Sequence, residues 1–338
     1  MKKSKASMQS VADELKISKV TVSKALNDKE GVSESLRERI KEIAKQQDYT
    51  ISRIAANKVK KIGVIMNTRF ASENGEGKMY LRMYENIVHE LAERNYSSIM
   101  LTPSLSTVDT DIALITDDKL FDGIIILGLL ENGVRERLKE ISIPKIYVDM
   151  YDRTQQSDSV VTENFYSVYD LTKYVIDVGH NEIGFVGTIQ ATTSITDRYL
   201  GFKRALYERQ LRIEEQWIIP DRTLEGESIE LQLPKEMPSA FICNCDETAF
   251  RLVRVLTENG YAVPDDISVA SFDNDIFAEI CIPKLTTVAV NAKDIADNVA
   301  KLMKKNIERP SKKHETLRVK GQIIFRDSVK EMKAYEKE

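Results

Sequence analysis

The chain has 338 residues, of which 42% are hydrophobic and 30% charged, so it is long enough for two or three globular domains. Residues 1–61 hold 15 Lys and Arg against 8 Asp and Glu, a net charge of +7, whereas the remainder holds 34 against 45, a net charge of −11. The start MKKSKASMQS has no apolar stretch behind its basic residues, and no long apolar run follows, which argues against a signal peptide and a membrane span. We expect a cytoplasmic protein with a small basic N-terminal piece. Such a piece is typical of a nucleic-acid-binding head, although charge alone also allows a solvated basic face.

Three cysteines occur, Cys243, Cys245 and Cys281. An odd number in a long chain fits a reducing compartment and argues against a disulfide framework. The C-x-C pair has no further Cys or His beside it in the sequence, so buried strand cysteines explain it better than a metal site, and no metal is expected.

The first fifty residues predict three short amphipathic helices. Ser7, Ser18 and Ser33 each precede a helical pattern and can cap it. The inward faces are Val11, Ala12 and Leu15, then Val22, Ala25 and Leu26, then Leu36, Ile40, Ile43 and Ala44. A short break, KIS, separates the first two helices, which predicts a helix-turn-helix arrangement.

The outward face of the second helix is rich in short donors and cations. It consists of Ser18, Lys19, Thr21, Ser23, Lys24 and Asn27. Residues 18–27 contain no acid, whereas a merely solvated helix often carries Glu/Lys pairs. Hydroxyl and ammonium groups of this kind bind phosphates and base edges in a major groove. The pattern favours a DNA-reading helix over the alternative, a generic three-helix bundle.

The segment SVADELKISKVTVSKALND, followed by VSESLRERIKEIAKQQDY, resembles the headpiece of the lactose/galactose repressor (LacI/GalR) family. The resemblance implies that Lys19, Val20 and Lys24 face base edges. The residues then expected mainly to contact the DNA backbone and so position the headpiece are Ser18, Thr21, Ser23 and Asn27. Ser7 and Ser33 are also expected to contact DNA.

Two residues depart from the family pattern. Lys16 stands where the family usually has a turn glycine, so we expect a left-handed backbone at a residue with a side chain. Lys24 stands where the family commonly has arginine. Because lysine lacks the rigid bidentate fork of arginine, we expect softer base discrimination there.

The stretch after Tyr49, TISRIAANKVKK, resembles the family's hinge, which forms a short helix on DNA and inserts a leucine into the minor groove. Arg53 and Ala55 fit that pattern and, with Lys58, are expected to contact DNA. Lys58 occupies the leucine position, and an ammonium group seeks phosphate rather than unstacking bases. We therefore expect little kinking, and a flexible basic linker remains the alternative to an ordered hinge.

From residue 62 the chain alternates apolar runs with amphipathic helices. The predicted strands are 62–66, 97–101, 123–127, 145–149, 183–187, 240–244 and 267–272, with helices such as 79–95 and 165–179 between them. This alternation predicts two similar α/β lobes with parallel sheets, and TTVAVN and QIIFRD can return the chain to each lobe in turn.

The motifs GHNEIGFVG, TTSITDRYLGF, CNCDETA, VPDDISVASFDN and PKLTTVAVN resemble the periplasmic-binding-protein-like core of the same family. The expected fold is an N-terminal all-α helix-turn-helix headpiece plus an α/β core of two parallel-sheet lobes. The expected domains are a headpiece at 1–48, a hinge at 49–61 and an effector-binding and dimerisation core at 62–332. Lobe 1 is placed at about 62–161 and 290–321, and lobe 2 at about 162–289 and 322–332.

A ligand is expected in the cleft between the lobes, where the carboxyl ends of parallel strands gather. The resemblance implies that Arg198 and Asp273 bind the effector, helped by Asp149, Thr192 and Ser194. The strand-end residue Asp246 is better explained as a helix cap. Phe70, Tyr80 and Phe165 are candidate aromatics for the ligand, of which Phe70 is assigned to the site, although ordinary packing explains each equally well.

The sequence lacks both common nucleotide-binding glycine motifs, and its three histidines are isolated, so neither an enzyme nor a cofactor is expected. The leading hypothesis is a DNA-binding repressor, a homodimer on a pseudopalindromic operator, controlled by a small-molecule effector, most simply a carbohydrate. Alternatives are a regulator that answers to a nucleobase or a protein corepressor and, more distantly, a solute-binding protein without a DNA function.

Overall fold

The structure is a computed structural model that describes residues 7–26, 29–46, 59–70, 78–104, 106–116, 120–139, 141–152, 156–310 and 313–332. The chain divides into two compact units, residues 1–59 and residues 60–338, which we call the headpiece unit and the core. Four residues predicted at the DNA, Asn27, Arg53, Ala55 and Lys58, lie outside the described residues. Among the described residues, no helix combines the length and the hydropathy that crossing a membrane requires.

The headpiece unit contains α1 (Met8–Leu15), α2 (Lys19–Leu26) and α3 (Glu34–Gln46). Ser7 caps α1: its hydroxyl accepts the Ser10 N–H at 3.1 Å, and the Ser10 hydroxyl accepts the Ser7 N–H at 3.0 Å. Ser18 accepts the Thr21 N–H at 3.0 Å in the same way. Lys16 ends α1 with φ 53°, which confirms the left-handed backbone predicted there.

The three helices close around small aliphatic side chains. Val11, Ala12, Val22, Ala25 and Ile40 are fully buried, as their spacing predicts.

The headpiece also buries a charged side chain that the pattern did not predict. Arg37 is only 8% exposed, and it donates to the carbonyls of Ala25 at 3.2 Å and Lys29 at 3.0 Å. These bonds tie α3 to the end of α2. Sequence reasoning missed them because arginine is seldom buried and its partners here are backbone atoms.

The described part of the core forms two six-stranded sheets. The strands are β1 (Lys60–Met66), β2 (Tyr96–Leu101), β3 (Gly123–Leu127), β4 (Lys145–Val148), β5 (Asp158–Thr162), β6 (Ile183–Val186), β7 (Ile218–Ile219), β8 (Ala240–Cys243), β9 (Ser268–Asp273), β10 (Thr286–Ala289), β11 (Thr316–Val319) and β12 (Gln322–Ile324). The first sheet has the order β11-β5-β4-β3-β1-β2, and we call the part built on it lobe 1. The second has the order β12-β10-β9-β8-β6-β7 and forms lobe 2. Neighbouring strands are parallel except β10 and β12, which are antiparallel.

Helices connect the strands in both lobes. They are α4 (Lys78–Ala92), α5 (Val108–Thr116), α6 (Asn132–Lys139), α7 (Asn164–Asp177), α8 (Thr193–Glu208), α9 (Asp246–Glu258), α10 (Ile276–Ile280) and α11 (Ala292–Glu308). Single 3₁₀ turns lie at Thr68–Phe70 and Glu215–Trp217. The chain passes between the lobes after β5, after β10 and after β11. This confirms the predicted two-lobed α/β core.

The elements differ from the prediction in three strands and in helix ends. β5, β7 and β11 were not predicted, because β7 has two residues and the other two mix apolar with polar or charged side chains. The helix predicted at 79–95 ends at Ala92, and Asn95 follows with φ 59°. The helix predicted at 165–179 spans Asn164–Asp177, and Gly179 follows its end with φ 105°.

Candidate functional site

The core brings the six side chains predicted for the effector around one cavity of about 100 Å³, which we call the inner cavity. They are Phe70, Asp149, Thr192, Ser194, Arg198 and Asp273. Phe70 ends the 3₁₀ turn after β1 and Asp149 follows β4, both in lobe 1. The other four come from the loop before α8, from α8 and from the end of β9, in lobe 2. The inner cavity therefore lies where the carboxyl ends of the two sheets meet.

Two aspartates of the inner cavity sit on strained backbone. Asp149 has φ 58° and Asp273 has φ 112°, in the left-handed region that residues with side chains avoid. Such conformations cost about 1–3 kcal/mol each and persist where the surrounding structure holds them. The Asp149 N–H donates to the Val160 carbonyl at 3.0 Å, which fixes the end of β4 against β5. Both side chains are thus directed into the cavity by a costly turn at a strand end.

Arg198 is held by lobe 2 on several sides. Its Nε donates to Asn164 Oδ1 at 2.8 Å and its Nη1 to the Asn244 carbonyl at 2.6 Å. Its guanidinium carbon lies 3.8 Å from the centre of the Phe272 ring. The remaining Nη2 is 3.6 Å from Asp273 Oδ1, too long for a good hydrogen bond. Arg198 therefore keeps its Nη2 donor available beside Asp273, although its Nε and Nη1 already bind protein atoms.

The two carboxylates retain acceptor atoms inside the cavity. Asp149 Oδ1 and Asp273 Oδ1 are buried and accept no hydrogen bond from the described residues. Burial raises the pKa of both carboxyls, and the nearby Arg198 charge opposes that rise. The second oxygen of Asp149 accepts the Tyr80 hydroxyl at 2.7 Å, and burial beside Asp149 raises the pKa of Tyr80. The cavity is thus built to accept hydrogen bonds from a ligand's donors.

Of the three aromatic candidates, two line the inner cavity and one does not. Phe70 stacks on Tyr80 with ring centres 4.3 Å apart, and both line the inner cavity. Phe165 packs edge-to-face against Tyr166 and is not among the residues that line the cavity, so its position fits ordinary packing.

Thr192 has two structural roles. Its hydroxyl caps α8 by accepting the Ile195 N–H at 3.1 Å, and it lies 3.3 Å from the Ser194 hydroxyl. It also lines a second, wider cleft of about 710 Å³, the outer groove, which runs past Tyr151 and α6. The inner cavity and the outer groove therefore meet at Thr192.

Asp246 was predicted to cap α9, and this prediction is wrong. Cys245 occupies the cap position, whereas the Asp246 carboxylate turns into lobe 2. It accepts hydrogen bonds from the hydroxyls of Ser271 and Thr287 and from the N–H of Asp275 at 2.8 Å. Asp246 thus ties α9 to the ends of β9 and β10. Its partners are distant in sequence, which is why local spacing suggested a cap.

The headpiece unit exposes the side chains predicted to read base edges. Lys19 and Lys24 are exposed on α2, and Val20 is 65% exposed. Ser18 and Ser33 are also exposed, whereas Ser7, Thr21 and Ser23 are half-buried. Because Val22, Ala25 and Leu26 are buried on the opposite side of α2, the helix presents an acid-free outward face.

Comparison with known proteins identifies the two units. Residues 7–52 match the family model of bacterial regulatory proteins, lacI family, and residues 172–329 match the periplasmic binding protein-like domain. The chain thus joins a lacI-family headpiece to a periplasmic binding protein-like domain. It is 25% identical over 342 residues to the HTH-type transcriptional repressor PurR of Vibrio parahaemolyticus, covering 97% of this chain and 99% of the relative. It is 27% identical over 335 residues to catabolite control protein A of Priestia megaterium, covering 95% and 98%.

Solved structures agree on the fold of this chain. The transcriptional regulator CelR–cellobiose complex has a TM-score of 0.67 at 18% identity, covering 96% of this chain and 99% of that one. The lac repressor dimer bound to operator and the anti-inducer ONPF has a TM-score of 0.68 at 18% identity, covering 97% and 100%. With a lacI-family headpiece and repressors as its sequence relatives, the chain is a DNA-binding transcriptional regulator and not an enzyme.

Titration of Asp246 makes the stability of the core depend on pH. Burial, and secondarily the Asp275 charge, raises the pKa of Asp246 from 3.8 to about 7. Between these values the folded protein keeps a proton that the unfolded chain has released, so the free energy of unfolding falls as pH rises. The raised pKa values of Asp149 and Asp273 act in the same direction.

We expect the free energy of unfolding of the wild type to fall between pH 5 and pH 8. The fall in Asp246→Asn should be smaller by on the order of 2–3 kcal/mol. Denaturant unfolding at both pH values measures the difference. The exposed Asp265→Asn is the control and should match wild type. An equal fall in the free energy of unfolding of wild type and Asp246→Asn would contradict the raised pKa of Asp246.

Proposed function

We propose that this lacI-family regulator represses transcription as a homodimer on a pseudopalindromic operator, and that a neutral sugar in the inner cavity changes its operator affinity. In this proposal residues 1–48 read DNA, 49–61 form the hinge and 62–332 bind the effector and dimerise. Lobe 1 comprises about 62–161 and 290–321, and lobe 2 about 162–289 and 322–332. The lac repressor relative named above is itself a dimer on its operator, which supports this assembly.

One observation carries the choice of effector: Asp149 Oδ1 and Asp273 Oδ1 are buried and accept no hydrogen bond from the described residues. A buried acceptor without a donor costs free energy, so a ligand that brings donors gains affinity there. Sugar hydroxyls supply such donors, and Arg198 can in turn donate to a hydroxyl or ring oxygen. An anionic group beside two carboxylates would be repelled, which disfavours a sugar phosphate or sugar acid at this position.

The aromatic pair next to the carboxylates is consistent with a sugar. The Phe70 and Tyr80 rings line the cavity and can pack against the C–H face of a pyranose or furanose. The related regulator CelR is described as a cellobiose complex, which lends further support to a carbohydrate.

The size of the cavity implies movement on binding. Ligand sites of small molecules usually measure about 300–1,000 Å³, whereas the inner cavity measures about 100 Å³. A sugar ring must therefore part the lobes or extend into the outer groove. Parting the lobes changes how lobe 1 lies against lobe 2, and a ligand-gated repressor requires a change of this kind.

The DNA-binding half of the proposal rests on α2. Lys19, Val20 and Lys24 are exposed on a face without acids, where they can reach the base edges of a major groove. We propose that Ser7, Ser18, Thr21, Ser23 and Ser33 position the phosphate backbone around them, together with Asn27, Arg53, Ala55 and Lys58.

A thermal-shift screen tests the proposed effector class. Neutral monosaccharides and disaccharides, sugar phosphates and nucleobases are each added to the full chain. A ligand at about 100 times its Kd stabilises the folded state by about 2.7 kcal/mol. We expect neutral sugars to raise the melting temperature of wild type, and Asp273→Ala to abolish that rise because both acceptor oxygens of the side chain are lost.

The other outcomes of the screen count against the neutral sugar. Stabilisation by nucleobases alone would replace it with the nucleobase alternative. Stabilisation by sugar phosphates alone would contradict the charge argument. Stabilisation by none of the compounds would favour a protein corepressor.

A further inference from the structure

Arg82 makes direct hydrogen bonds from lobe 1 to lobe 2. It lies on α4, which packs against β2 and α11 in lobe 1. Its Nη1 donates to the Asn274 carbonyl at 3.1 Å. Its Nη2 donates to the Val290 carbonyl at 3.2 Å and lies 3.4 Å from the Asp273 carbonyl. One side chain therefore holds the end of β9 in lobe 2 and the segment directly after β10, where the chain crosses to lobe 1.

The carbonyls that Arg82 binds belong to the strained turn after β9. Asp273 has φ 112° and Asn274 has φ 50°, so two successive residues with side chains occupy the left-handed region. Two of the three carbonyls held by the guanidinium are those of the strained residues themselves. Strained turns persist only where their surroundings hold them, and Arg82 is such a contact.

The same turn carries the acceptor that the proposed effector uses. The Asp273 side chain points into the inner cavity beside Arg198, while its backbone carbonyl faces Arg82. A displacement of Arg82 therefore alters the position of Asp273, and a displacement of the turn alters the contact of α4 with lobe 2. Parting the lobes to admit a ligand must lengthen the bonds to Asp273 and Asn274, because the donor lies in lobe 1 and these two acceptors lie in lobe 2.

We propose that Arg82 is an interlobe latch, a positioning residue that holds the Asp273 turn and keeps lobe 2 closed against α4. Only the link to effector binding rests on the proposed function; the latch itself rests on the contacts of Arg82. Within lobe 1, Arg94 on the same helix forms an ion pair with Asp297 of α11 at 2.5 Å.

Distances between labels test the latch without any effector. Spin labels on unnatural amino acids at Lys139 of lobe 1 and Glu225 of lobe 2, both exposed and both lining the outer groove, report the separation of the lobes. A second pair at Lys139 and Glu93, both in lobe 1, reports any distortion of that lobe. Pulsed electron paramagnetic resonance on the full chain gives both distance distributions.

Three variants separate the latch from a general structural effect. Arg82→Met keeps an apolar stem and removes every donor. Arg82→Lys keeps a cation that can bind fewer of the carbonyls at once. Arg94→Met is the matched control, since it removes an arginine of the same helix whose carboxylate partners, Glu90 and Asp297, both lie in lobe 1.

We expect Arg82→Met to move the interlobe distribution to longer distances and to broaden it, with Arg82→Lys between it and wild type. Arg94→Met should leave the interlobe distribution unchanged, and the lobe 1 pair should not move in any variant. An unchanged interlobe distribution in Arg82→Met would overturn the latch, as would an equal shift of the lobe 1 pair. If Arg82→Met does not fold, Arg82→Lys decides: a shift supports the latch and a wild-type distribution overturns it.

The result is independent of the sugar screen. Because the measurement uses no ligand, a failed screen leaves the latch intact, and a failed latch leaves the proposed effector class intact.

Discussion

Replacing Lys19 and Lys24 together with alanine is expected to weaken operator binding by at least about 100-fold, since a good side-chain contact to a base edge discriminates by about 1–3 kcal/mol. Both ammonium groups are exposed on the acid-free face of α2, and their loss also removes two cations from the interface. The core does not contain either residue, so its fold and its response to ligand in a thermal shift should persist.

Fluorescence anisotropy on an operator selected from random double-stranded DNA measures this loss. The matched control is Arg39→Ala with Lys45→Ala, which removes two exposed cations from α3 of the same unit. We expect that control to weaken binding only slightly and only at low salt. Wild-type affinity in the α2 variant, or an equal loss in the α3 variant, would contradict the reading-helix assignment.

Replacing Arg198 with lysine is expected to reduce effector potency by about 10- to 150-fold, because a hydrogen bond from a charged group contributes about 1.5–3 kcal/mol. A lysine ammonium cannot bind Asn164 and the Asn244 carbonyl while also lying beside Asp273, as the planar guanidinium does. Lysine is the informative replacement because it keeps a cation between two buried carboxylates. Alanine would leave both uncompensated, which costs about 3–5 kcal/mol and endangers folding.

Operator release or capture as a function of effector concentration measures the potency. We expect Arg198→Lys to bind operator without effector as wild type does, since Arg198 lies in the core and not in the headpiece unit. The control is Arg254→Lys, an exposed arginine of α9 that pairs with Glu258. A normal effector response in Arg198→Lys would show that the guanidinium does not bind the ligand.

Much of the inner cavity could be predicted because parallel sheets place their strand ends together. Asp149 and Asp273 each lie at the end of a clear apolar run, so alternation alone placed each at the carboxyl edge of its own sheet. The selection of Arg198, Thr192 and Ser194 came instead from resemblance to the family. The structure places all five around one cavity, and their role in effector binding stays a prediction.

The residues that sequence reasoning missed act through backbone atoms or distant partners. Arg82 binds carbonyls about two hundred positions along the chain, and Asn244 holds Arg198 through its own carbonyl. Tyr80 was considered only as an aromatic surface, whereas its hydroxyl binds Asp149. No local spacing signals such contacts, because carbonyl acceptors occur at every residue.

The error at Asp246 has the same origin. An aspartate at the start of a helix usually caps it, but Ser271 and Thr287 offer hydroxyls from two strands that only the folded lobe brings near. β5 and β11 were missed because polar and charged residues interrupt them, as Asp158 does at the start of β5. Their apolar positions become clear only once they pair with each other in lobe 1.

The central claim is that a sugar in the core controls how the headpiece binds DNA, and one titration tests it most directly. Operator affinity of the full wild-type chain is measured by fluorescence anisotropy with and without the neutral sugar that most stabilises it. Coupling free energies between sites are usually about 1–3 kcal/mol, so we predict a change in operator affinity of about 5- to 150-fold. Identical titration curves at a sugar concentration that saturates the thermal shift would contradict the claim.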